Sequence, residues 1–453
     1  MADDYKSGEG PTRSAAAGGA EGIDKLRGGL GRVWSTASLT SKLGMKAASR
    51  VLFRGKTADP EAALASRAAA IASAKQLVAR MGQLKGLVMK AGQIASYMPG
   101  ALPPEAQEVL AELQSASTPM TFERIDEVVR SELGAPAREL FDEFEPRPFA
   151  AASIGQVHRA RWRGQALAVK VQYPGIEDAI RSDLRTVGAL ARLSMIGSPV
   201  SGGDLVRELR DRLLEECDYE REARNQREFA TLLAAMTGAS VPAVIAERSS
   251  RRVLTSELVS SMPLPAFATT GDQAARDRAG ELVFRASFEL LFRRCIYNAD
   301  PHPGNYLVTP AGDVTFLDFG CVRRFEPAMI AVWKQMASAV LAGDRDGFAA
   351  AFRTLGFVGK ERGFDWDYQW NALRSLYRPF LEPGFGFTPS FVTESFSVQM
   401  FDNPNRMKLA MPAEWLFLNR LQWGLFAVLA QLGARAPWGD IFREQLAAPI
   451  DPA

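Results

Sequence analysis

Two acidic motifs constrain this chain more than any other feature. Asp300-Pro-His-Pro-Gly-Asn305 is followed by Leu317-Asp318-Phe319-Gly320, with Asn305 and Asp318 thirteen residues apart. Phosphoryl transfer of the kinase type needs an acid that orients or deprotonates the attacking hydroxyl. It needs an Asn five positions later and an Asp-Phe-Gly whose Asp holds a divalent metal. Asp300, Asn305 and Asp318 have that order and spacing. Asp-Phe-Gly alone is a weak signal; the combination is specific.

Upstream, Ala168-Val169-Lys170-Val171 places one lysine in an apolar strand. A charge in such a strand needs a partner, because burying it alone is costly. A kinase cleft offers two, the nucleotide phosphates and a glutamate on a helix. The hairpin before it reads Phe149-Ala150-Ala151-Ala152-Ser153-Ile154-Gly155, with alanines where a phosphate-covering loop ordinarily has glycines. Alanine permits close backbone approach but disfavours positive φ, so a stiff loop is expected. Ser153 can hydrogen-bond a phosphate, and His158 follows the strand pattern as a structural residue.

Length and composition fit this reading. At 453 residues, 47% hydrophobic and 23% charged, the chain can bury a sizeable core in two or three units. A formal net charge of +2 gives no electrostatic footprint for nucleic acid. Three scattered cysteines and two histidines provide neither a disulfide framework nor a His-rich metal site. They suit a reducing, cytoplasmic compartment. Residues 1–22 lack the apolar run of a signal peptide. Trp415–Leu432 is the best candidate span, but Asn419, Arg420, Gln422 and Gln431 interrupt it, so a buried helix is expected.

Periodicity divides the chain into a disordered tail at 1–22, a helical extension at 23–120, a strand-rich lobe at 121–260 and a helical lobe at 261–453. In the extension, Ser35–Lys56 is a basic amphipathic helix. It is a packing helix with a solvated face, or else a contact for an anionic membrane on its inner side. Asp59–Tyr97 and Pro103–Ser115 are further helices, and Thr121 is expected to cap the next one. Phe149–Arg161 and Ala166–Gln172 form strands about Gly164, and Val253–Leu258 and Val314–Leu317 are strands. Ile180–Met195, Asp204–Phe229 and Ala274–Tyr297 are expected as helices. The class is α+β, a two-lobed protein-kinase-like fold with an N-terminal helical extension.

These residues resemble the UbiB/AarF-domain atypical kinase family, also called the ADCK family. The carrying motifs are Lys90-Ala91-Gly92-Gln93, the Ala-rich loop, Lys170, Glu216-Cys217-Asp218-Tyr219 with Glu222, Asp300–Asn305, and Asp318-Phe319-Gly320. The resemblance implies ATP and Mg²⁺ as cofactors and a role in isoprenoid-quinone biosynthesis or related lipid metabolism. It implies a small-molecule or lipid substrate and leaves room for a peripheral membrane contact and a biosynthetic complex. It also implies that Lys90 and Gln93 gate the cleft where a protein substrate would otherwise dock.

In these terms Lys170 orients phosphates, Asn305 and Asp318 hold metal, and Asp300 positions the nucleophile. Ala150, Ala151, Ala152 and Ser153 cover the nucleotide, while the backbone near Glu257–Val259 receives adenine. At roughly 100° per residue, Asp218 and Glu222 share a helical face and Glu216 does not. Glu222 is therefore expected to pair with Lys170, and Glu216 to face the extension and Lys90. Asp300 follows Tyr297-Asn298-Ala299 rather than His-Arg, which argues against control by phosphorylation of a loop. Little chain separates Gly320 from the next helix, which favours a non-protein acceptor. A protein kinase and a non-catalytic nucleotide-binding scaffold are the rival readings.

Overall fold

The structure, a computed structural model of the chain, describes residues 120–152, 154–178, 180, 214–400, 402–410 and 413–452. The tail, the extension with Lys90 and Gln93, Ser153, and nearly all of the Ile180–Met195 helix lie outside the described residues.

The first layer is a sheet with one helix against it. Helices α1 (Phe122–Leu133) and α2 (Ala137–Leu140) precede β1 (Glu143–Phe144), β2 (Ala150–Ala152), β3 (Gly155–Trp162) and β4 (Gln165–Gln172). After α3 (Tyr219–Leu233) and β5 (Ala239–Ser240) comes β6 (Val253–Glu257). The sheet order is β1-β3-β4-β6, antiparallel throughout, with β2 also paired to β3. The expected Phe149–Arg161 strand is thus two strands, split near Ile154. Leu167, Val169 and Val171 on β4 are wholly buried with Ile125, Val128 and Val129 of α1. Each such side chain contributes about 1.5–3 kcal/mol relative to exposure. The opposite face of β4 carries Lys170 toward the cleft. At Arg163-Gly164 both residues have positive φ (51° and 77°), as the tight turn between twisted strands requires. Thr121 occupies the N-cap position of α1, but its side chain makes no capping hydrogen bond.

The second layer is mostly helical. Strand β7 (Met262–Pro263) and α4 (Leu264–Thr270) lead into the long α5 (Gln273–Arg294). Asp272 caps α5 by accepting from the Ala275 N–H at 2.8 Å. Val283, Phe284, Phe288, Leu291 and Phe292 of α5 are buried, so this helix is the axis of the larger core. The expected Ala274–Tyr297 helix ends early. Cys295 turns left-handed (φ 53°), and residues 296–298 leave as β8 (Ile296–Asn298).

Three short strands follow: β9 (Tyr306–Val308), β10 (Val314–Phe316) and β11 (Val322–Arg324). Strands β9 and β10 form a hairpin, with β5 and β7 on its edges. Strand β11 pairs antiparallel with β8. The helices α6 (Pro327–Ala342), α7 (Arg345–Thr354), α8 (Trp366–Leu376), α9 (Arg378–Leu381), α10 (Pro389–Met400), α11 (Ala413–Leu432) and α12 (Trp438–Ala447) complete the chain. Among the described residues no helix is long and apolar enough to cross a membrane, and the second half of α11 is core. The architecture is the α+β arrangement anticipated from the strand-then-helix order.

Candidate active site

The two acidic motifs meet because strand pairing clamps them from both sides. The β9–β10 hairpin places Tyr306 opposite Phe316, and the Leu317 N–H donates to the Asn305 carbonyl at 3.0 Å. This hairpin accounts for the thirteen-residue spacing. On the other side β8 pairs with β11, and the Ala299 N–H donates to the Cys321 carbonyl at 2.7 Å. Asp300 is therefore held beside Asp318.

Within the loop, the Asn305 Nδ2 donates to the Asp300 carbonyl at 3.0 Å. That bond fixes the amide orientation and leaves the Asn305 Oδ1 as an acceptor. His302 accepts from the Gly304 N–H at 2.9 Å, a turn-forming contact. Asp318 accepts from the Gly320 N–H through Oδ1 at 2.9 Å. Its Oδ2 stands 3.8 Å from the Lys170 ammonium.

Lys170 donates to both carboxylate oxygens of Glu222, at 2.8 and 3.0 Å. Burial works against the ammonium, but the charges of Glu222 and Asp318 outweigh it and hold its pKa well above the ordinary lysine value. Burial pushes the Glu222 carboxyl up to about 7; Lys170 opposes this, and Asp318 and Glu216 add to it. The Tyr219 ring lies under the ammonium, 4.9 Å from ring centre to Nζ. Tyr219 is buried, and its hydroxyl has no hydrogen-bond partner among the described residues.

The expected Asp204–Phe229 helix requires a correction, and it moves Glu216. A continuous Asp204–Phe229 helix would have turned it away from Glu222, but the chain breaks at Cys217-Asp218. Asp218 becomes the N-cap of α3 and accepts from the Arg221 N–H at 2.9 Å. The break folds Glu216 back toward the cleft. A Cβ at Gly320 would lie 3.8 Å from both the Glu216 Cγ and a Glu222 carboxylate oxygen. Glu216 and Glu222 therefore flank one point. The Lys90 contact expected for Glu216 lies outside the described residues.

The Ala-rich segment is strand β2. Ala150 and Ala151 are exposed, Ala152 is half-buried, and their partners are Val157, Gln156 and Gly155. Gly155 sits against the next strand so closely that a Cβ there would stand 2.2 Å from the Val171 carbonyl oxygen. At the far edge of the cleft, the Glu257 and Leu258 N–H groups are committed to the Ala243 and Ala166 carbonyls. Val259 is the first residue past these bonds.

Several contributors carry no motif. Asn298 donates from Nδ2 to the Asp318 carbonyl, and its Oδ1 accepts from the Asp300 N–H at 3.3 Å. One amide thus ties both acidic motifs together. Asn225 donates to the Phe319 carbonyl at 2.9 Å, and the Phe229 and Phe319 rings lie 5.0 Å apart. Glu222, Asn225 and Phe229 recur at i, i+3 and i+7 along α3, a spacing that could have revealed this inward face. Arg323 of β11 reaches Glu215 at 2.7 Å, and Arg324 pairs with Glu228.

Asp318 and the oriented Asn305 oxygen form a hard, oxygen-only donor pair. Mg²⁺ is commonly held by one or two such groups together with phosphate oxygens. Among the described residues no group of three or more His, Cys, Asp or Glu is placed to hold a metal ion.

The five-stranded antiparallel sheet, the Lys170–Glu222 pair across it and the clamped acidic motifs define a protein-kinase-like enzyme. Residues 112–352 match the ABC1 atypical kinase-like domain, more than half of the chain, and the chain belongs to that family. It is similar to the protein named atypical kinase COQ8, mitochondrial, of Saccharomyces cerevisiae, with 27% identity over 93% of this chain and 85% of the relative. Atypical kinase COQ8B, mitochondrial, of Rattus norvegicus is 31% identical over 82% of this chain and 72% of its own length. Among solved structures, Rv3197 from Mycobacterium tuberculosis in complex with erythromycin superposes with a TM-score of 0.63 at 29% identity. That match covers 86% of this chain and 99% of Rv3197. The UbiB/AarF resemblance is thereby established, and the enzyme is an atypical kinase.

Proposed function

We propose that the cleft binds Mg·ATP and turns it over, transferring phosphate to water or to a small-molecule or lipid hydroxyl. The observation that carries this is the position of Lys170. Its ammonium lies between Glu222 at 2.8 Å and Asp318 at 3.8 Å, and the Asn305 amide on the loop that follows Asp300 is already oriented as an acceptor. Bound Mg²⁺ supplies charge neutralisation at the phosphates. Lys170 orients the phosphates while Glu222 fixes Lys170. Asn305 and Asp318 provide the oxygen donors, with Glu216 beside Glu222. Asp300 orients the acceptor hydroxyl. The Ala150–Ala152 strand and Ser153 cover the nucleotide, and the Glu257–Val259 backbone receives the base. Lys90 and Gln93 of the 23–120 extension gate the opening to large substrates.

Only six residues, 321–326, separate Gly320 from Pro327, the first residue of α6, and three of them are strapped to β8. This supports a non-protein acceptor, since a peptide-docking platform needs a longer loop here. The family resemblance supports a role in isoprenoid-quinone biosynthesis or related lipid metabolism, with a biosynthetic complex as the setting. The basic, amphipathic sequence pattern of 35–56 supports peripheral attachment to the inner face of a membrane, and the three scattered cysteines support a cytoplasmic setting.

Turnover of ATP by purified protein, with and without anionic liposomes and phenolic quinone-precursor mimics, tests this reading. Wild type turns over ATP, Asp300→Asn does not, and Asp318→Asn loses Mg²⁺-dependent nucleotide binding. Retained Mg·ATP affinity in Asp318→Asn removes the metal assignment. Nucleotide binding with no turnover under any condition leaves a scaffold in place of an enzyme.

A further inference from the structure

A glycine in the interior of a helix is disfavoured relative to alanine, so its place there asks for a packing reason. Gly424 sits midway along the twenty-residue α11, buried between Trp423 and Leu425. A Cβ at this position would stand 2.5 Å from the Pro301 Cγ, and 3.4 Å from the Pro301 Cδ and carbonyl oxygen. Ordinary van der Waals contact begins at 3.4 Å. The neighbour is a buried proline ring, not the end of a flexible side chain, so it cannot rotate away.

Pro301 directly follows Asp300, and Asp300 is held at every backbone group. Its N–H donates to Asn298, and its carbonyl accepts from the His302 N–H at 2.7 Å and from the Asn305 side chain at 3.0 Å. Displacing Pro301 therefore drags the acid and the adjoining Asn305 with it. The match to the kinase-like domain ends at residue 352, and α11 lies sixty residues beyond it.

We propose that Gly424 is a positioning residue of the catalytic loop. Helix α11 provides the seat on which Pro301 rests, and the missing side chain at Gly424 sets the height of Asp300. The proposal rests on reading Asp300 as the group that orients the acceptor. It makes the C-terminal helical segment part of the reaction apparatus, in addition to its packing role.

The test uses the full chain carrying G424A, P301A, both together, and D300N. Hydrogen exchange of the loop amides, His302 and Asn305 above all, reports loop position without requiring turnover. Moving a reacting group by about 1 Å can cost on the order of 10²-fold in rate. G424A is expected to accelerate exchange in residues 298–308 and to lower kcat by that order. The nucleotide dissociation constant and the exchange of α1 and β4 stay near wild type. P301A removes the ring, so adding G424A to P301A changes neither loop exchange nor kcat further.

Wild-type loop exchange in G424A overturns the proposal, as does additional loop loosening in the double variant over P301A alone. If G424A fails to fold, the comparison of the double variant with P301A decides in the same way. Wild-type turnover by D300N removes the reading of Asp300 itself, whatever G424A does.

Discussion

Lys170 and Glu222 share two hydrogen bonds, 2.8 and 3.0 Å, across the gap between β4 and α3. Glu222 is nearly inaccessible, and Lys170 retains only 19% of its side-chain exposure. Removing one partner of such a pair costs about 3–5 kcal/mol, because the other charge is left uncompensated. Asp318 at 3.8 Å still faces the ammonium, so Glu222→Ala is expected at the lower end of that range. Urea unfolding of Glu222→Ala against Lys170→Met/Glu222→Ala measures it. The double variant recovers part of the loss, since it leaves no orphan charge. A double variant no more stable than the single would show that the stranded ammonium is not the source.

Asn298 gives a second prediction. Asn298→Ala deprives the Asp318 carbonyl and the Asp300 N–H of their shared amide. An unsatisfied buried group costs about 1–3 kcal/mol. If about 1.4 kcal/mol of that reaches the transition state, kcat falls tenfold. Asn298→Asp keeps the acceptor for Asp300 but loses the donor to Asp318, and should fall between alanine and wild type. Equal activity of all three proteins would separate this amide from the reaction.

Two glycines of the same hairpin should behave differently. At Gly155 an added methyl meets the Val171 backbone oxygen at 2.2 Å, one residue from Lys170. Gly155→Ala must part β3 from β4 and should destabilise by at least the roughly 1–3 kcal/mol typical of overpacking. Among the described residues beyond its chain neighbours, nothing lies within 4 Å of a Cβ added at Gly164, and the positive φ is what opposes a side chain. Gly164→Ala should cost about 1–2 kcal/mol, the left-handed penalty alone, with turnover preserved. Chemical denaturation midpoints and ATP turnover of the two variants make the comparison.

His158 supplies a pH dependence. Burial lowers its pKa, opposed by the Glu145 carbonyl it contacts at 2.8 Å. Gln156 donates to its Nε2 at 3.0 Å, consistent with a neutral ring protonated at Nδ1. Because the folded pKa is depressed, this contribution to stability is present above the unfolded value near 6.5 and is lost as pH falls through the folded value. The melting temperature of wild type should therefore drop more steeply below pH 6.5 than that of His158→Gln. Parallel curves for the two proteins would remove His158 as the source.

The parts of the site visible in the chain were those with fixed local spacing. Asp300, Asn305 and Asp318 are read directly because a hairpin of set length joins them. Lys170 stands out because a lysine in an apolar strand demands a partner. Glu222 as that partner follows from helical geometry. The break in the expected Asp204–Phe229 helix was hidden for a physical reason: Asp218 can sit inside a helix or cap one, and periodicity does not distinguish the two. The split in Phe149–Arg161 was equally hidden, since an alanine run carries little turn signal. Asn298 and Gly424 escaped notice because each works through a contact made over long sequence separation, to the Asp318 carbonyl and the Pro301 ring. Such contacts leave no periodic trace.

The stitching of α3 to the Phe319–Arg324 segment bears on inhibitor chemistry. Phe319 is fully buried against Phe229, its carbonyl is held by Asn225, and Arg323 and Arg324 bridge to Glu215 and Glu228 on either side. A compound that needs the space behind Phe319 must evict the ring and break this lacing before it gains any contact of its own. Compounds that accept the ring where it stands face no such barrier. Selective blockers of this cleft are therefore to be sought among ligands that leave Phe319 in place.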